Sequence, residues 1–241
     1  MAVYLIPEEE KAKYPKADIL DVEEGKELYS EANAKAIEIF GENSRAYKML
    51  KNRIDLENIR GSQFFWNLWL NKFFPKGKRV ISLEDAEAIN DRDEDFFKDF
   101  YTDTPEIILL TEILSYKDNK HILEYIVNQT KNAKFDFNSE NPLKISGLEL
   151  IKDENSENYY GLLLKFGENT KLVHDKRFAY SNNGKKISFG KKQKQIFTKK
   201  NNLSRVYLYR FVILYAGNDY LANSGDSGRV VFMSNAFGVV N

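Results

Sequence analysis

The residues best suited to a binding function lie between Lys171 and Arg210. This stretch holds twelve Lys and Arg residues against one acid, Asp175, and aromatic residues alternate with the basic ones. Alternate side chains of a strand share one face, so aromatic rings can stack on bases while lysines meet phosphates. The alternative is that the rings pack in the core and the lysines only face solvent. The pattern predicts a surface for nucleic acid or another acidic partner, formed by Lys176, Arg177, Lys185, Lys186, Lys191, Lys192, Lys194, Lys199, Lys200 and Arg205.

A cluster of opposite charge lies earlier in the sequence. Residues 82–106 contain ten Asp and Glu residues against only Arg92 and Lys98. We expect the basic surface to dock on these acids, either within one subunit or from one copy to the next. A contact between copies would be head-to-tail, and such contacts build rings or filaments whose orientation is set by charge. The candidate acidic interface consists of Glu84, Asp85, Glu87, Asp91, Asp93, Glu94 and Asp95.

One short motif resembles a catalytic loop. The segment Gly225-Asp226-Ser227-Gly228 looks like the nucleophile loop of trypsin-like serine proteases, although Arg229 stands where that family has a further glycine. Such an enzyme also needs a histidine base. His174 precedes the serine by too few residues for a two-barrel protease, and His121 falls in a predicted helix. We therefore interpret the motif as a glycine-rich turn and assign no catalytic residue.

Metal and cofactor chemistry is poorly supported. The chain has no Cys, which excludes disulfides and thiolate sites, and with only two His residues we do not expect a multi-histidine zinc site. The acidic run that begins at Asn90 has alternate carboxylates, but Phe96 stands where a calcium loop of the EF-hand type needs glycine. We interpret this run as a solvated helix start, and predict neither a metal site nor a cofactor.

The end of the sequence contributes a second resemblance. The segment from Ser234 to Val240 resembles the C-terminal glycine-rich segment of the RAMP proteins of CRISPR systems, with Ala236 in place of the first glycine. The resemblance implies RNA binding, in agreement with the basic stretch. The helical pattern of the first half departs from the paired ferredoxin-like folds of that family.

Charge and periodicity both change near residue 140. Residues 1–140 hold 20 basic and 28 acidic residues, whereas residues 141–241 hold 16 and 8, so the net charge of zero is a cancellation. Apolar residues recur at helical spacing in the first half, where Gly41 is a stop signal, Ser44 a cap and Ser82 to Asp85 a capping box. Thr104-Pro105-Glu106 also has the residues of a helix start. The predicted helices cover 25–40, 44–61, 64–74, 83–89, 93–101, 104–114 and 119–131.

The second half has the period of two that is typical of strands. Three hairpins are predicted: 143–151 with 159–166, 171–180 with 185–189, and 203–215 with 229–234. Asn183-Gly184 has the residues of a tight turn in the second hairpin. We therefore predict an α+β protein with an N-terminal helical bundle (1–140, acidic) followed by a C-terminal antiparallel β-sheet or partial barrel (141–241, basic).

Two functions fit these features. With 42% apolar residues the chain can bury a core, and we expect a cytoplasmic or virion protein because no apolar leader or membrane span is evident. The first hypothesis is a non-enzymatic structural or assembly protein of a multi-subunit particle, such as a phage or viral head, connector or tail. Its partners would be further copies of itself or other particle proteins. The alternative is a nucleic-acid-binding or nucleic-acid-processing protein that uses the basic sheet over 171–210.

Overall fold

The computed structural model describes residues 16–93, 95–112, 117–138, 141–154, 158–175, 178–180, 196–198, 203–209, 213–218 and 220–234. The helices in these ranges are α1 (Val22–Phe40), α2 (Arg45–Leu50), α3 (Phe64–Leu70), α4 (Leu83–Arg92) and α5 (Lys120–Asn132). The strands are β1 (Lys16–Ile19), β2 (Lys78–Val80), β3 (Thr102–Leu109), β4 (Leu143–Lys152), β5 (Leu162–His174), β6 (Phe178–Tyr180), β7 (Ile196–Thr198), β8 (Leu203–Tyr209), β9 (Ile213–Asn218) and β10 (Val231–Ser234).

The ends of the helices follow local capping chemistry. Asp21 accepts a hydrogen bond from the N–H of Glu24 at the start of α1, and Gly41, with φ of 85°, ends the helix. The hydroxyl of Ser44 accepts from the N–H of Tyr47 at the start of α2. These features confirm the predicted stop and cap. The second helix ends at Leu50, however, well before the predicted Gly61.

Two sheets organise the fold. The larger has seven strands in the order β5-β4-β3-β8-β9-β7-β6, and the smaller has three in the order β1-β10-β2. Most pairs are antiparallel, but β7 pairs in parallel with both β6 and β9. The structure therefore contains both helices and antiparallel sheets, as the α+β prediction requires. The predicted arrangement of an N-terminal helical bundle followed by a C-terminal sheet or partial barrel is not confirmed, and the described strands do not form a closed barrel.

Strand pairing crosses the change in composition near residue 140. Strand β3, from the acidic half, lies between β4 and β8 of the basic half. Helices α3 and α5 pack against this sheet, and every residue of α3 is buried. On the opposite face, Leu83 of α4 packs with Ile108, Leu110 and Val206. The two halves of the sequence thus share one sheet and its core.

Three sequence-based predictions are corrected. The motif Thr104-Pro105-Glu106 does not start a helix but lies inside β3, where the Thr104 hydroxyl donates to the carbonyl of Val206 on β8. Residues 95–99 form turns rather than the predicted helix over 93–101. Strand β10 does not complete a final hairpin with β8 and β9, because it pairs with β1 and β2 in the other sheet.

The hairpin of β4 and β5 is confirmed. The two strands pair along their length, with an irregularity near Gly147, where φ is 66°. A Cβ at Gly147 would overlap the backbone of Asn169, which accounts for glycine at this bulge. The turn predicted at Asn183-Gly184 lies outside the described residues. The first strand predicted for that hairpin, over 171–180, is not one strand, because 171–174 end β5 and Phe178–Tyr180 form β6, which pairs in parallel with β7.

Strand β5 is an edge of the larger sheet, and a side chain covers part of that edge. The amide of Gln129 on α5 donates to the carbonyl of Leu164 at 3.0 Å and accepts from the N–H of Phe166 at 2.7 Å. A side-chain amide thus takes the hydrogen bonds that a further strand would make, which protects an edge from unwanted pairing.

The larger sheet is strongly curved. Strands β5 and β6 are its two edges, yet only three residues separate His174 from Phe178. Four Cα steps span at most about 15 Å, whereas the edges of a flat seven-stranded sheet would be about 29 Å apart. The edges must therefore approach each other where β5 ends and β6 begins.

Candidate functional site

The predicted basic surface falls mostly outside the described residues. This applies to Lys176, Arg177, Lys185, Lys186, Lys191, Lys192, Lys194, Lys199 and Lys200. Arg205 is described, and it is 2% exposed because β8 is an inner strand of the sheet. Its guanidinium pairs with the carboxylate of Asp103 on β3 and lies 4.5 Å from the centre of the Tyr207 ring. This buried position does not present Arg205 to an external partner.

Polar side chains at and just before α3 contact the backbone of Asp103. The N–H of Asp103 donates to the hydroxyl of Ser62 at 2.9 Å, and the amide of Asn67 donates to the Asp103 carbonyl at 2.6 Å. Burial raises the pKa of Asp103 to about 6, against the opposing effect of Arg205. The pair joins the acidic half of the sequence to the basic half within one subunit.

The first two predicted interface acids also have partners inside the subunit. Glu84 forms an ion pair with Lys144 of β4. Asp85 pairs with Arg79 and forms the predicted capping box with Ser82. Burial raises the pKa of Asp85, but the hydrogen bonds from Arg79 and Ser82 outweigh it and hold this pKa below its usual range. Both carboxylates therefore help to hold α4 in place.

The later acids lie closer to solvent. Asp93 and Asp99 are exposed, and the side chain of Asp95 is 76% exposed with Lys98 at 3.6 Å. Glu87 is half-buried. The side chain of Asp91 and all of Glu94 lie outside the described residues. The exposed carboxylates sit on a turn that is anchored by aromatic residues, since Phe97 and Phe100 are buried and in contact with each other.

A groove lies between α4 and the outer face of β3, β4 and β5. It has a volume of about 480 Å³ and is lined by charged and polar side chains, among them Arg79, Ser82, Glu84, Glu106, Lys144 and Lys171. Lys144 alternates along β4 with the core residues Leu143 and Ile145, and its cross-strand neighbours are Ile108 and Val173. The strand alternation therefore turns Lys144 away from the main core and toward this groove.

Two buried charges meet at the base of this groove. The side chains of Lys144 and Glu106 are 7% and 3% exposed, and their charged atoms Nζ and Oε1 are 3.7 Å apart. The other carboxylate oxygen of Glu106 accepts from the N–H of Leu83, at the start of α4, at 2.6 Å. Burial raises the pKa of Glu106 to about 7, against the opposing effect of Lys144. Perturbed ionisable groups in a cleft are a general mark of functional sites.

The glycine-rich loop over 224–228 has a structural role. The hydroxyl of Tyr101 donates to the carbonyl of Ser62 and accepts from the N–H of Gly225. The carbonyl of Ser227 accepts from the N–H of Tyr101, and the carbonyl of Gly228 accepts from the N–H of Gly61. Among the contacts of this loop within the described residues, none involves a histidine. The loop therefore connects, through hydrogen bonds, the residues just before α3 with Tyr101, just before β3.

The two histidines lie on separate elements. His121 is half-buried in the first turn of α5, and the His174 ring packs against Phe135 with centroids 6.0 Å apart. The described ranges contain no group of three or more His, Asp and Glu residues that could hold a metal ion. No helix in those ranges is long and apolar enough to cross a membrane.

Comparison with known proteins yields no relative. No protein-family model, no curated protein and no solved structure matches this chain.

The sequence patterns missed the pair of Lys144 and Glu106. A signal was present at Lys144, because a lysine between two apolar residues of a strand marks the face that points away from the core. The sequence predicts Glu106 as an acid at the start of a helix, whereas the structure places it in the buried strand β3. The two side chains come together because β3 pairs with β4, and no local sequence motif predicts that pairing.

Proposed function

We propose that this protein is a non-enzymatic structural or assembly component of a multi-subunit particle, of the kind that forms phage or viral heads, connectors or tails. Its copies would meet through complementary charge. The observation that carries the proposal is the set of exposed carboxylates Asp93, Asp95 and Asp99 on an aromatic-anchored turn. Glu84 and Asp85 are paired inside the subunit, which leaves these later acids for a neighbour.

The proposed counterpart of this acidic turn is the lysine-rich stretch over 185–200 of the next copy. The stretch contains seven lysines and no acid, so its attraction to the acidic turn does not depend on one particular pairing. Head-to-tail contacts of this kind extend into rings or filaments.

Sedimentation velocity of the purified chain tests the proposal. We expect oligomers that grow with concentration at about 0.1 M salt and dissociate at about 1 M salt, where the Debye length falls to about 3 Å. The triple variant Asp93→Asn, Asp95→Asn, Asp99→Asn should remain monomeric at low salt.

The matched control neutralises three exposed acids elsewhere, by Glu31→Gln, Glu42→Gln and Glu57→Gln. It changes the net charge equally and should still assemble. A wild-type protein that is monomeric at every concentration and salt would refute the proposal.

Nucleic-acid binding is the second candidate, and one observation favours it. Lys171 is exposed near the end of β5, and no ion pair is described for it within the described ranges. It lines the same groove as Arg79 and Lys144. The chain continues from β5 into the lysine-rich stretch, so this groove would extend a basic surface.

Fluorescence anisotropy with single-stranded oligonucleotides tests this candidate. Affinity should fall steeply as salt rises, because neutralised phosphates release counterions. Lys191→Glu, Lys192→Glu and Lys194→Glu together should abolish binding for every sequence tested. The control reverses three exposed lysines elsewhere, Lys26, Lys48 and Lys120. Equal binding by the two triple variants would exclude the basic stretch as the binding surface.

A further inference from the structure

The groove between α4 and the outer face of β3 to β5 has the size and lining of a small-ligand site. Its volume of about 480 Å³ falls within the range of about 300–1,000 Å³ that such sites occupy. Three basic side chains, Arg79, Lys144 and Lys171, line it together with the hydroxyl-bearing residues Ser82 and Ser146. Cations and hydroxyl groups in one concave space are suited to an oxyanion.

Lys144 is fixed at the base of the groove. Its side chain is 7% exposed and its neighbour Glu106 is 3% exposed, so neither can turn out into solvent without opening the fold. Glu106 is held further by the N–H of Leu83. The ammonium group of Lys144 is therefore a preorganised cation, and preorganisation lowers the cost of binding.

Glu84 is the more exposed of the two carboxylates that contact Lys144. Its side chain is 52% exposed, and it reaches Lys144 from the first turn of α4. A carboxylate on a side chain that is 52% exposed can exchange its contact with Lys144 for water without opening the core. The Glu84 carboxylate thus occupies a place beside Lys144 that an oxyanion of a ligand could take.

Lys171 supplies a second cation from the neighbouring strand. It pairs in register with Ser146, two residues beyond Lys144 on the same face of β4. Arg79 is less available, since two nitrogens of its guanidinium contact the two carboxylate oxygens of Asp85. Lys144 and Lys171 are consequently the two cations that a ligand could engage.

We propose that this groove binds a phosphate group through Lys144 and Lys171, and that Glu84 is an internal competitor that leaves Lys144 when the phosphate arrives. The inference does not depend on the assembly function. Phosphate could come from a small phosphorylated molecule or from a nucleic-acid backbone, and the two sources share this chemistry.

Isothermal titration of the full chain with inorganic phosphate tests the site. An internal competitor lowers the apparent affinity in proportion to the fraction of molecules in which it leaves the site open. For a site that Glu84 leaves open in about one molecule in five, Glu84→Gln should bind about fivefold more tightly than wild type. Lys171→Ala should bind at least about tenfold more weakly, because a hydrogen bond to a charged group is lost. Circular dichroism would establish that each variant is folded.

Two controls separate this site from general charge attraction. Glu42→Gln changes the net charge as Glu84→Gln does, and Lys165→Ala removes an exposed lysine of the same strand that does not line the groove. Both should bind phosphate as wild type does. If Lys165→Ala weakens binding as much as Lys171→Ala, or if Glu84→Gln matches Glu42→Gln, the inference is wrong.

The same variants titrated with a single-stranded oligonucleotide distinguish the two phosphate sources. A response to inorganic phosphate indicates a small phosphorylated ligand. A response confined to the oligonucleotide, with the same order of the variants, indicates a nucleic-acid backbone. Absence of binding to both probes at millimolar concentration, in wild type and in Glu84→Gln, would overturn the proposal.

Discussion

Asp103 of β3 and Arg205 of β8 form an ion pair inside the protein, where their side chains are 0% and 3% exposed. The pair links two adjacent strands that lie far apart in the sequence. Removal of one partner from such a pair leaves the other charge buried without compensation, which is strongly destabilising.

Replacement of Asp103 by Asn should therefore lower the free energy of unfolding by about 3–5 kcal/mol. Urea unfolding followed by circular dichroism measures this loss. Asp95→Asn is the matched control, since its ion pair with Lys98 is exposed and should contribute less than about 1 kcal/mol. The double variant Asp103→Leu with Arg205→Met should be more stable than Asp103→Asn. An Asp103→Asn loss no larger than that of the control would contradict the buried pair.

The raised pKa of Glu106 predicts a pH dependence of stability. Burial raises this pKa to about 7 in the folded protein, from an ordinary value of 4.5. Between those limits the folded state binds more protons than the unfolded state, so the contribution of Glu106 is fully present below about pH 4.5. It is lost as the pH rises through 7.

Urea unfolding at about pH 5.5 and about pH 8 should thus give a lower free energy of unfolding at the higher pH. The carboxyl of Asp85, whose pKa is lowered, is ionised at both values and adds no slope there. Glu106→Gln removes this titrating group, so the stability of the variant should fall less over this range. An equal fall in variant and wild type would assign the pH dependence to other groups.

Close packing of the glycine-rich loop predicts that two of its glycines differ in how well they tolerate replacement by alanine. A Cβ at Gly228 would overlap the backbone nitrogen of Ser62 and lie 2.9 Å from the Tyr101 ring, whereas one at Gly225 would lie 3.7 Å from its nearest neighbour. Gly228→Ala should cost about 1–3 kcal/mol, as overpacking does, and Gly225→Ala less than about 0.5 kcal/mol. Thermal unfolding of both variants checks the prediction, which equal melting temperatures would refute.

Gln129 should prevent the edge strand β5 from pairing with a strand of another molecule. Gln129→Leu removes two hydrogen bonds to β5 and should lower the free energy of unfolding by about 1–3 kcal/mol. It also exposes backbone groups at Leu164 and Phe166, so we expect association that increases with concentration. Asn128→Leu, at an exposed neighbouring position, controls for the added apolar side chain. Light scattering that rises equally for both variants would show that apolarity alone causes the association.

Local hydrogen bonds explain which parts of the fold were predictable from the sequence. The Ser44 cap, the Gly41 stop and the capping box of Ser82 with Asp85 involve residues within four positions of each other. Such signals are complete within a short window, and all three are confirmed. The long helices and the hairpin of β4 with β5 likewise follow from local periodicity.

Longer-range pairing explains what the sequence did not reveal. Thr104-Pro105-Glu106 meets the local requirements of a helix start. The segment nevertheless forms part of β3, because β3 pairs with β4 on one side and with β8 on the other. The proline is tolerated because the pairing of β3 with β8 shifts register between Asp103 and Ile107, so no regular ladder bond is lost there. The sequence identifies the acidic cluster as a group. It does not identify Glu84 as the member that contacts Lys144, because the two residues are sixty positions apart in the sequence.

The pairing of β1 with β10 affects the order in which the parts of the protein fold. Lys16 pairs with Ser234, so the smaller sheet joins segments from nearly opposite ends of the sequence. Contacts of such separation carry a large loop-closure cost and slow the folding of a domain. During synthesis, β1 must wait for β10 to leave the ribosome. We expect this sheet to form last, after the helices and the hairpin of β4 with β5 are in place.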